Sequence, residues 1–272
     1  MERRQRQQYL EAIGIDLWVP RRPIPAPASA PPLTIAPESA ISPPVATTGT
    51  EAAAFVPAAK IAPEPIIAPT PIDAATTRWE SLRSEVLHCT KCSLHSTRTQ
   101  GVLGVGPHRS EWLVIGEAPG AEEDRKGEPF VGRAGQLLDA MLRAIGLNRA
   151  TNVYIANVLK SRPPGNRDPK PEEVAACLPY LMRQIELLQP RLMLAVGRIA
   201  AQNLLSTDMS LGRLRGKVHY FGELNTPLIV TYHPAYLLRT PADKRKAWED
   251  LKFARSVFRQ LTGGQSNDGN RP

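Results

Sequence analysis

Short apolar runs alternate with amphipathic segments through the second half of the chain. The apolar runs cover residues 112–115, 153–155, 192–196 and 228–231, and each ends at a turn signal. Helical periodicity marks residues 134–145, 171–188, 198–205 and 241–261. Strands that are apolar throughout and alternate with helices predict a parallel sheet that is buried on both faces. The pattern therefore indicates an α/β fold with helices on both sides of the sheet.

The N-terminal part of the chain has a different pattern. Residues 1–19 predict a short amphipathic helix, whose apolar side is formed by Tyr9, Leu10, Ile13, Leu17 and Trp18. Residues 20–75 contain 14 of the 27 prolines and few large apolar residues, which predicts a disordered linker. Residues 76–262 then form the folded domain, whose first helix Thr77 can cap, and residues 263–272 predict a disordered tail.

Composition and charge narrow the class of protein. Hydrophobic residues make up 42% of the chain and charged residues 22%, as in ordinary globular proteins. Neither a membrane span nor a signal-peptide core is evident, so we expect a cytoplasmic, nucleoid-associated protein. The net charge of +8 favours a polyanionic partner, of which nucleic acid is the commonest. Three cysteines argue against a disulfide framework and favour a metal or cluster site.

Polar residues follow the predicted strands at the ends where parallel sheets bind ligands. Glu117 comes after the first strand, Asn157 after the second, Gly197-Arg198 after the third, and His233 after the fourth. Because the carboxyl ends of parallel strands lie along one rim, a carboxylate, an amide and an imidazole should project together. Their joint occurrence predicts a functional site at this rim.

The same residues carry a family resemblance. The runs GEAPGAEEDRKGEPFVGRAGQLLD, SRPPGNRDP and TYHPAYLLR, together with the strand that ends at Asn157, resemble the family 4 uracil-DNA glycosylases, which are iron–sulfur enzymes. The resemblance covers about residues 77–261. It implies a three-layer α/β/α sandwich with a four-stranded parallel sheet. It also implies a monofunctional hydrolase that removes uracil and leaves an abasic site for base-excision repair.

Uracil chemistry suits the residues at the rim. A base must leave the duplex before it can be cleaved, and Phe130 can stack on the extruded face. The Asn157 amide offers a donor for uracil O4 and an acceptor for N3–H, while His233 can donate to O2 as negative charge gathers there. Glu117 would orient water or stabilise an oxocarbenium-like sugar. The resemblance implies that Glu123 excludes the thymine methyl and that Gly116 belongs to the uracil site.

Basic and apolar residues near the rim predict DNA contacts. Tyr236, Leu237, Leu238 and Arg239 form a candidate wedge that unstacks a base step, although the two leucines could instead start the packing of the last helix. Candidate phosphate contacts are Lys160, Arg162, Arg167 and Arg239, with Arg215 as a weaker one.

The cysteines depart from the family pattern. Family 4 enzymes hold a [4Fe–4S] cluster on four cysteines, and Cys89, Cys92 and Cys177 match three of those positions. Ser161 stands at the remaining one, and serine oxygen is a harder ligand than the usual thiolate. The open alternatives are a four-iron cluster with Ser161 or water at one iron, a three-iron cluster, no cluster, or zinc with His88 or His95. We expect a labile cluster with a structural role and no nucleotide cofactor.

The partners follow from these expectations. Uracil-containing DNA is the expected substrate of a monomeric enzyme. Residues 1–23 loosely resemble the N-terminal peptide of the psi subunit of bacterial DNA polymerase III, which docks on the clamp loader, although a nonspecific basic tail remains open. Two other functions also remain open: excision of deaminated purines, and a noncatalytic role as a DNA-binding polymerase accessory.

Overall fold

A computed structural model describes residues 74–263, and within them the chain forms a sheet between two helical layers. The helices are α1 (Ala74–Leu87), α2 (Ala121–Lys126), α3 (Arg133–Ala144), α4 (Pro171–Leu188), α5 (Arg198–Leu205), α6 (Leu211–Leu214), α7 (Pro234–Arg239) and α8 (Lys244–Leu261). The strands are β1 (Trp112–Gly116), β2 (Val153–Asn157), β3 (Leu192–Val196), β4 (His219–Phe221) and β5 (Thr226–Thr231). Short 3₁₀ turns lie at Ser93–Ser96, Pro164–Asn166 and Pro241–Asp243.

The sheet has the strand order β2-β1-β3-β5-β4. Strands β1, β2, β3 and β5 are parallel, and β4 pairs antiparallel with β5. In the register of β1 and β2, Gly116 lies opposite Asn157. The carboxyl ends of the four parallel strands therefore share one rim.

Two apolar clusters hold the layers together. Helices α1, α4 and α5 pack on one face of the sheet, through residues such as Leu82, Leu181 and Ala200. Helices α3, α7 and α8 pack on the other face, through residues such as Leu138 and Leu251. Because helices cover both faces, each of the four parallel strands is apolar along nearly its whole length.

The predicted α/β/α fold class is confirmed, with three local corrections. The sheet has five strands, because the half-exposed three-residue β4 adds an antiparallel edge that carries no buried apolar run. Helix α1 begins at Ala74, so Thr77 lies inside the helix and does not cap it. The predicted last helix begins only at Lys244, after the 3₁₀ turn at Pro241–Asp243.

Several predictions concern residues outside the described range. They are the amphipathic helix over 1–19, most of the linker over 20–75, and the tail beyond residue 263. Within residues 74–263, no helix combines the length and apolar character needed to cross a membrane.

Candidate active site

A cavity of about 400 Å³ opens at the carboxyl rim of the sheet. It brings together side chains from the segments that follow β1, β2 and β5, as the strand-end pattern predicts. Eight of the residues predicted to act on uracil or DNA line it: Glu117, Glu123, Phe130, Asn157, Arg167, His233, Tyr236 and Arg239.

Asn157 presents an unsatisfied acceptor at this cavity. It is the last residue of β2 and is 2% exposed. Its Oδ1 is buried and has no hydrogen-bond partner among the described residues. A Cβ on Gly116 would collide with this oxygen and with the Phe130 ring, so glycine lets both groups keep their observed positions. An orphan buried acceptor costs about 1–3 kcal/mol, which a ligand N–H would recover.

Phe130 forms an aromatic wall of the cavity in a strained backbone conformation. Its φ of 55° lies in the left-handed region, and its side chain is 6% exposed. The Arg149 guanidinium holds this segment by donating to the carbonyl oxygens of Pro129 (3.1 Å) and Phe130 (2.8 Å). Gly135 lets the Phe130 carbonyl approach α3 closely, because a Cβ there would collide with it. Strain of this kind typically costs about 1–3 kcal/mol and persists where the surroundings fix the conformation.

His233 is a neutral imidazole with a defined tautomer. It is the N-cap of α7, where its Nδ1 accepts a hydrogen bond from the backbone N–H of Ala235 at 3.1 Å. Burial, and then the charge of Arg239, lower the pKa of His233 to about 4. Because the neutral ring carries one proton and Nδ1 is the acceptor, Nε2–H is the donor. The ring centroid lies 5.5 Å from that of Phe130.

Glu117 is a carboxyl group whose proton affinity is raised. Burial, and then the negative charge of Asp168, raise the pKa of Glu117 to about 7, whereas the positive charge of Arg198 acts to lower it. Asp168 and Arg198 themselves form an exposed ion pair of 2.7 Å. A carboxyl that titrates near neutrality suits a group that accepts a proton from water.

Glu123 joins the cavity to the loop that carries Phe130. Its Oε1 accepts hydrogen bonds from the backbone N–H groups of Val131 (2.9 Å) and Gly132 (3.1 Å). These donors lie at the start of α3, where a carboxylate is favoured by the helix dipole. The carboxylate therefore orders this loop, while its predicted role against the thymine methyl stays a prediction.

Three predicted DNA contacts are wrong. Lys160 is 1% exposed and its Nζ is bonded inside the protein, so it cannot reach a phosphate. Leu237 is 1% exposed and packs in the core, as the alternative interpretation held. The Arg215 guanidinium forms a buried ion pair with Asp250 at 2.7 Å.

The other predicted contacts remain available at the surface. Leu238 is 36% exposed, and Arg239 is exposed at the cavity. Arg162 is partly exposed and donates to Asn166 at 2.8 Å. Arg167 lines the cavity while it binds Glu173 through both guanidinium nitrogens. The Tyr236 hydroxyl donates to Asp243 at 2.6 Å, which fixes the ring.

The three cysteines share one apolar cluster, but Ser161 does not fit as their fourth ligand. Backbone N–H groups donate to the sulfurs of Cys89 (3.5 Å) and Cys177 (3.4 Å). The Ser161 hydroxyl instead accepts a hydrogen bond from Arg98 at 2.7 Å. Within residues 74–263, no three His, Cys, Asp or Glu side chains are gathered closely enough for a metal ion. The donor set thus offers three thiols and does not match a four-thiolate cluster.

Sequence reasoning missed the residues that act on the site from its surroundings. Asp168 lies within the SRPPGNRDP motif, and Arg198 follows β3 after Gly197. Their positions therefore indicated the rim but not the effect of either residue on Glu117. Arg149 gave none, because nothing in its local sequence indicates that it binds the carbonyls around Phe130.

The fold and this cavity define a class of α/β proteins with a ligand-sized cavity at the carboxyl rim of a parallel sheet. The family model described as Uracil DNA glycosylase superfamily matches residues 103–252 of this chain. The chain is 47% identical to the type-4 uracil-DNA glycosylase of Archaeoglobus fulgidus over 174 residues, or 62% of this chain and 87% of that protein. Identity to the type-4 enzyme of Thermotoga maritima is 41% over 185 residues, which cover 66% of this chain and 95% of that protein.

A more distant relationship connects the chain to another type. It is 33% identical to the type-5 uracil-DNA glycosylase of Thermus thermophilus over 149 residues, or 48% of this chain and 68% of that protein. The chain belongs to the type-4 uracil-DNA glycosylases of the uracil DNA glycosylase superfamily. The resemblance seen in the sequence motifs is thereby confirmed.

Proposed function

We propose that this chain is a monofunctional uracil-DNA glycosylase, which hydrolyses the bond between uracil and deoxyribose in DNA. Its family membership supports a hydrolytic glycosylase that acts in DNA repair. The assignment to uracil rests on the buried Asn157 Oδ1, which has no hydrogen-bond partner among the described residues and lies at the cavity that Phe130 also lines.

Base recognition follows from the donors and acceptors at the cavity. The extruded base stacks on Phe130, and Asn157 Oδ1 accepts from uracil N3–H while its amide N–H donates to O4. Cytosine presents the opposite pattern, an acceptor at N3 and a donor at N4, and so leaves both groups of the amide unpaired. The cost of those unpaired buried groups is the basis of discrimination.

Bond cleavage follows from His233 and Glu117. As the glycosidic bond breaks, negative charge develops on uracil O2, and the His233 Nε2–H donates to it. A fixed donor aimed at developing charge typically contributes about 3 kcal/mol to the transition state. The Glu117 carboxylate orients water toward the sugar carbon and accepts its proton. These roles need Glu117 ionised and His233 neutral, and the pKa of each group is compatible with both states near neutral pH.

DNA contacts extend this proposal to the surface around the cavity. Arg162, Arg167 and Arg239 bind phosphates, and Leu238 is the wedge residue, since it is exposed beside the cavity-lining Arg239. Asp168 and Glu117 place negative charge at the mouth of the cavity. Because this charge repels phosphates, the arginines hold the phosphates at the edge, and the neutral base enters the cavity.

A base-release assay tests the proposed function. The protein is incubated with oligonucleotides that contain uracil, hypoxanthine or neither, and abasic sites are then cleaved with alkali. We expect cleavage only at uracil. Cleavage at hypoxanthine alone would indicate a deaminated-purine enzyme, and no cleavage with intact DNA binding would indicate a noncatalytic accessory.

The cofactor is a second part of the proposal. We propose that Cys89, Cys92 and Cys177, which the structure does not gather closely enough for a metal ion, draw together around a labile iron–sulfur cluster, which ties α1 to the sheet and takes no part in the reaction. The shared apolar cluster and the N–H donors to two sulfurs support it. Ser161→Cys should raise iron and sulfide content and the melting temperature of anaerobically purified protein; equal content in both proteins would refute the proposal.

Recruitment and location rest on the sequence alone. We propose that a monomeric, cytoplasmic enzyme uses residues 1–19 to contact the replication clamp loader, since a tethered docking segment would raise the effective concentration of the domain. Deletion of residues 1–75 should leave activity on a short oligonucleotide nearly intact and abolish binding to the clamp loader. A large loss of activity would contradict the tether.

A further inference from the structure

Lys160 is a buried amine that binds the backbone carbonyl of Asn157. Its Nζ lies within hydrogen-bond distance of three acceptors: the carbonyl oxygen of Asn157 at 2.7 Å, Gln184 Oε1 at 2.5 Å, and the carbonyl oxygen of Leu103 at 3.4 Å. Burial lowers the pKa of Lys160 to about 7. The side chain is enclosed, with 1% exposure.

Gln184 fixes the direction of this lysine. Its Nε2 donates to the Leu103 carbonyl at 3.0 Å and to the Tyr154 hydroxyl at 3.2 Å. Because both of these partners accept from the amide nitrogen, Oε1 is left to accept from Lys160. Gln184 is itself fully buried on α4. Helix α4 therefore sets the position of the Lys160 Nζ through Gln184.

The backbone around Lys160 is also fixed. Its N–H donates to Cys177 Sγ at 3.4 Å, and its carbonyl accepts from Val102 N–H at 2.8 Å. The peptide after Asn157 is therefore held on both sides: Val158 N–H donates to the Gly116 carbonyl, and Lys160 Nζ binds the Asn157 carbonyl. Rotation of that peptide would turn the Asn157 side chain in the cavity.

We infer that Lys160 is a positioning residue for uracil recognition, which aims the Asn157 amide by holding the Asn157 carbonyl. This inference rests on the proposed function of Asn157. The three acceptors are neutral, so no counter-ion offsets the cost of burying this polar amine. An apolar residue would fill this space at lower cost, so the amine is explained by the carbonyl that it holds.

Lys160→Met tests the inference, because it keeps the length of the side chain and removes all three donors. A misaligned amide should lower kcat for uracil release roughly 10- to 100-fold. It should weaken inhibition by free uracil by a similar factor, while the Kd for undamaged DNA stays the same. A purely structural role would change only the melting temperature.

Two further variants separate positioning from stability. Ser110→Ala removes a buried hydrogen bond to the Pro107 carbonyl, outside the Lys160–Gln184 network, and should lower the melting temperature while kcat is retained. The double variant Lys160→Met with Gln184→Met also removes the Gln184 oxygen that would lose its donor, but the carbonyls of Asn157 and Leu103 stay without a donor. Its melting temperature should therefore remain below that of the wild type, and its kcat should stay low. If the single variant does not fold, uracil release and inhibition by uracil are measured in the double variant at a temperature below its melting transition.

The outcomes distinguish a failure of the proposed function from a failure of the inference about Lys160. A wild-type protein that releases no uracil would overturn the proposed function and this inference with it. A wild-type protein that releases uracil, with a folded single or double Lys160→Met variant that matches its kcat and its inhibition by uracil, would overturn the inference alone.

Discussion

At the scale of single residues, the site depends on groups whose environment changes their chemistry. Asn157 has an acceptor that nothing in the described residues satisfies, and Glu117 has a pKa raised to about 7. Neither property can be seen in the sequence, because each depends on what the fold places beside the residue. The residue types and their strand-end positions were predictable, and Asp168, Arg198 and Arg149 were not.

The raised pKa of Glu117 predicts the acid limb of the pH profile. A carboxyl with a folded-state pKa above its ordinary value stays protonated until that higher pH is reached, so kcat/KM of the free enzyme should rise as pH increases through about 7. The negative charge of Asp168 raises the pKa of Glu117, so Asp168→Asn should lower that pKa. The substitution also releases Arg198 from its ion pair with Asp168. The acid limb of the profile should therefore move to lower pH.

Two controls make the direction of this shift decisive. Arg198→Gln removes the opposing positive charge, so the limb should move to higher pH. Glu172→Gln removes an exposed carboxylate from the first turn of α4, and the limb should stay in place. A limb that is identical in all four proteins would show that Glu117 does not control the rate.

Substitution of Gly116 by alanine should reduce activity without unfolding the protein. In Gly116→Ala the new Cβ would collide with Asn157 Oδ1 and with the Phe130 ring, both of which are side-chain ends that can move away. We expect kcat/KM to fall about 100-fold, since small misplacements at a reacting centre have effects of that size. Gly212→Ala is the control, because a Cβ there meets open space. Equal kcat/KM in the two variants would contradict the proposed packing.

At the scale of elements, the sequence pattern predicted strands better than short helices. All four buried strands were predicted within two residues at each end, because an apolar run between turn signals needs no information from elsewhere. Strand β4 was missed because its side chains are half exposed, and α7 because its six residues carry no helical period. Leu237 was misjudged for the same reason: only the packing of α7 on the core decides where it lies.

One polar cluster holds the last helix to the sheet. Asp250 on α8 accepts from the Arg215 guanidinium at 2.7 and 2.9 Å and from the Thr231 hydroxyl at 2.7 Å. Asp250→Ala would leave the largely buried Arg215 without its counter-ion. The free energy of unfolding should fall by about 3 kcal/mol, measured by urea denaturation.

A surface pair provides the comparison for this prediction. Arg191 and Glu111 form an ion pair in which both side chains are about half exposed. Glu111→Ala should change the free energy of unfolding by less than about 0.5 kcal/mol. A similar loss in both variants would mean that burial does not decide the strength of these ion pairs.

At the scale of the whole molecule, the fold concentrates function at one rim and leaves the cysteines on a separate loop and helix. The superfamily match at residues 103–252 lies within the described residues 74–263, which also contain every residue of the proposed reaction. The net charge of +8 supports DNA binding in general, while the cavity itself holds charges of both signs. In the proposed function, selectivity for uracil comes from Asn157 and Phe130, and the overall charge supplies attraction to the polymer.

The most direct measurement is the single-turnover release of base from a duplex with one uracil, compared between the wild type and Asn157→Leu. Leucine keeps the approximate shape of asparagine and removes its donor and acceptor. We expect uracil release by the wild type and a loss of at least about 100-fold in the variant, with unchanged binding to undamaged DNA. Equal rates in the two proteins, or no release of uracil by the wild type, would show that Asn157 does not recognise uracil in this protein.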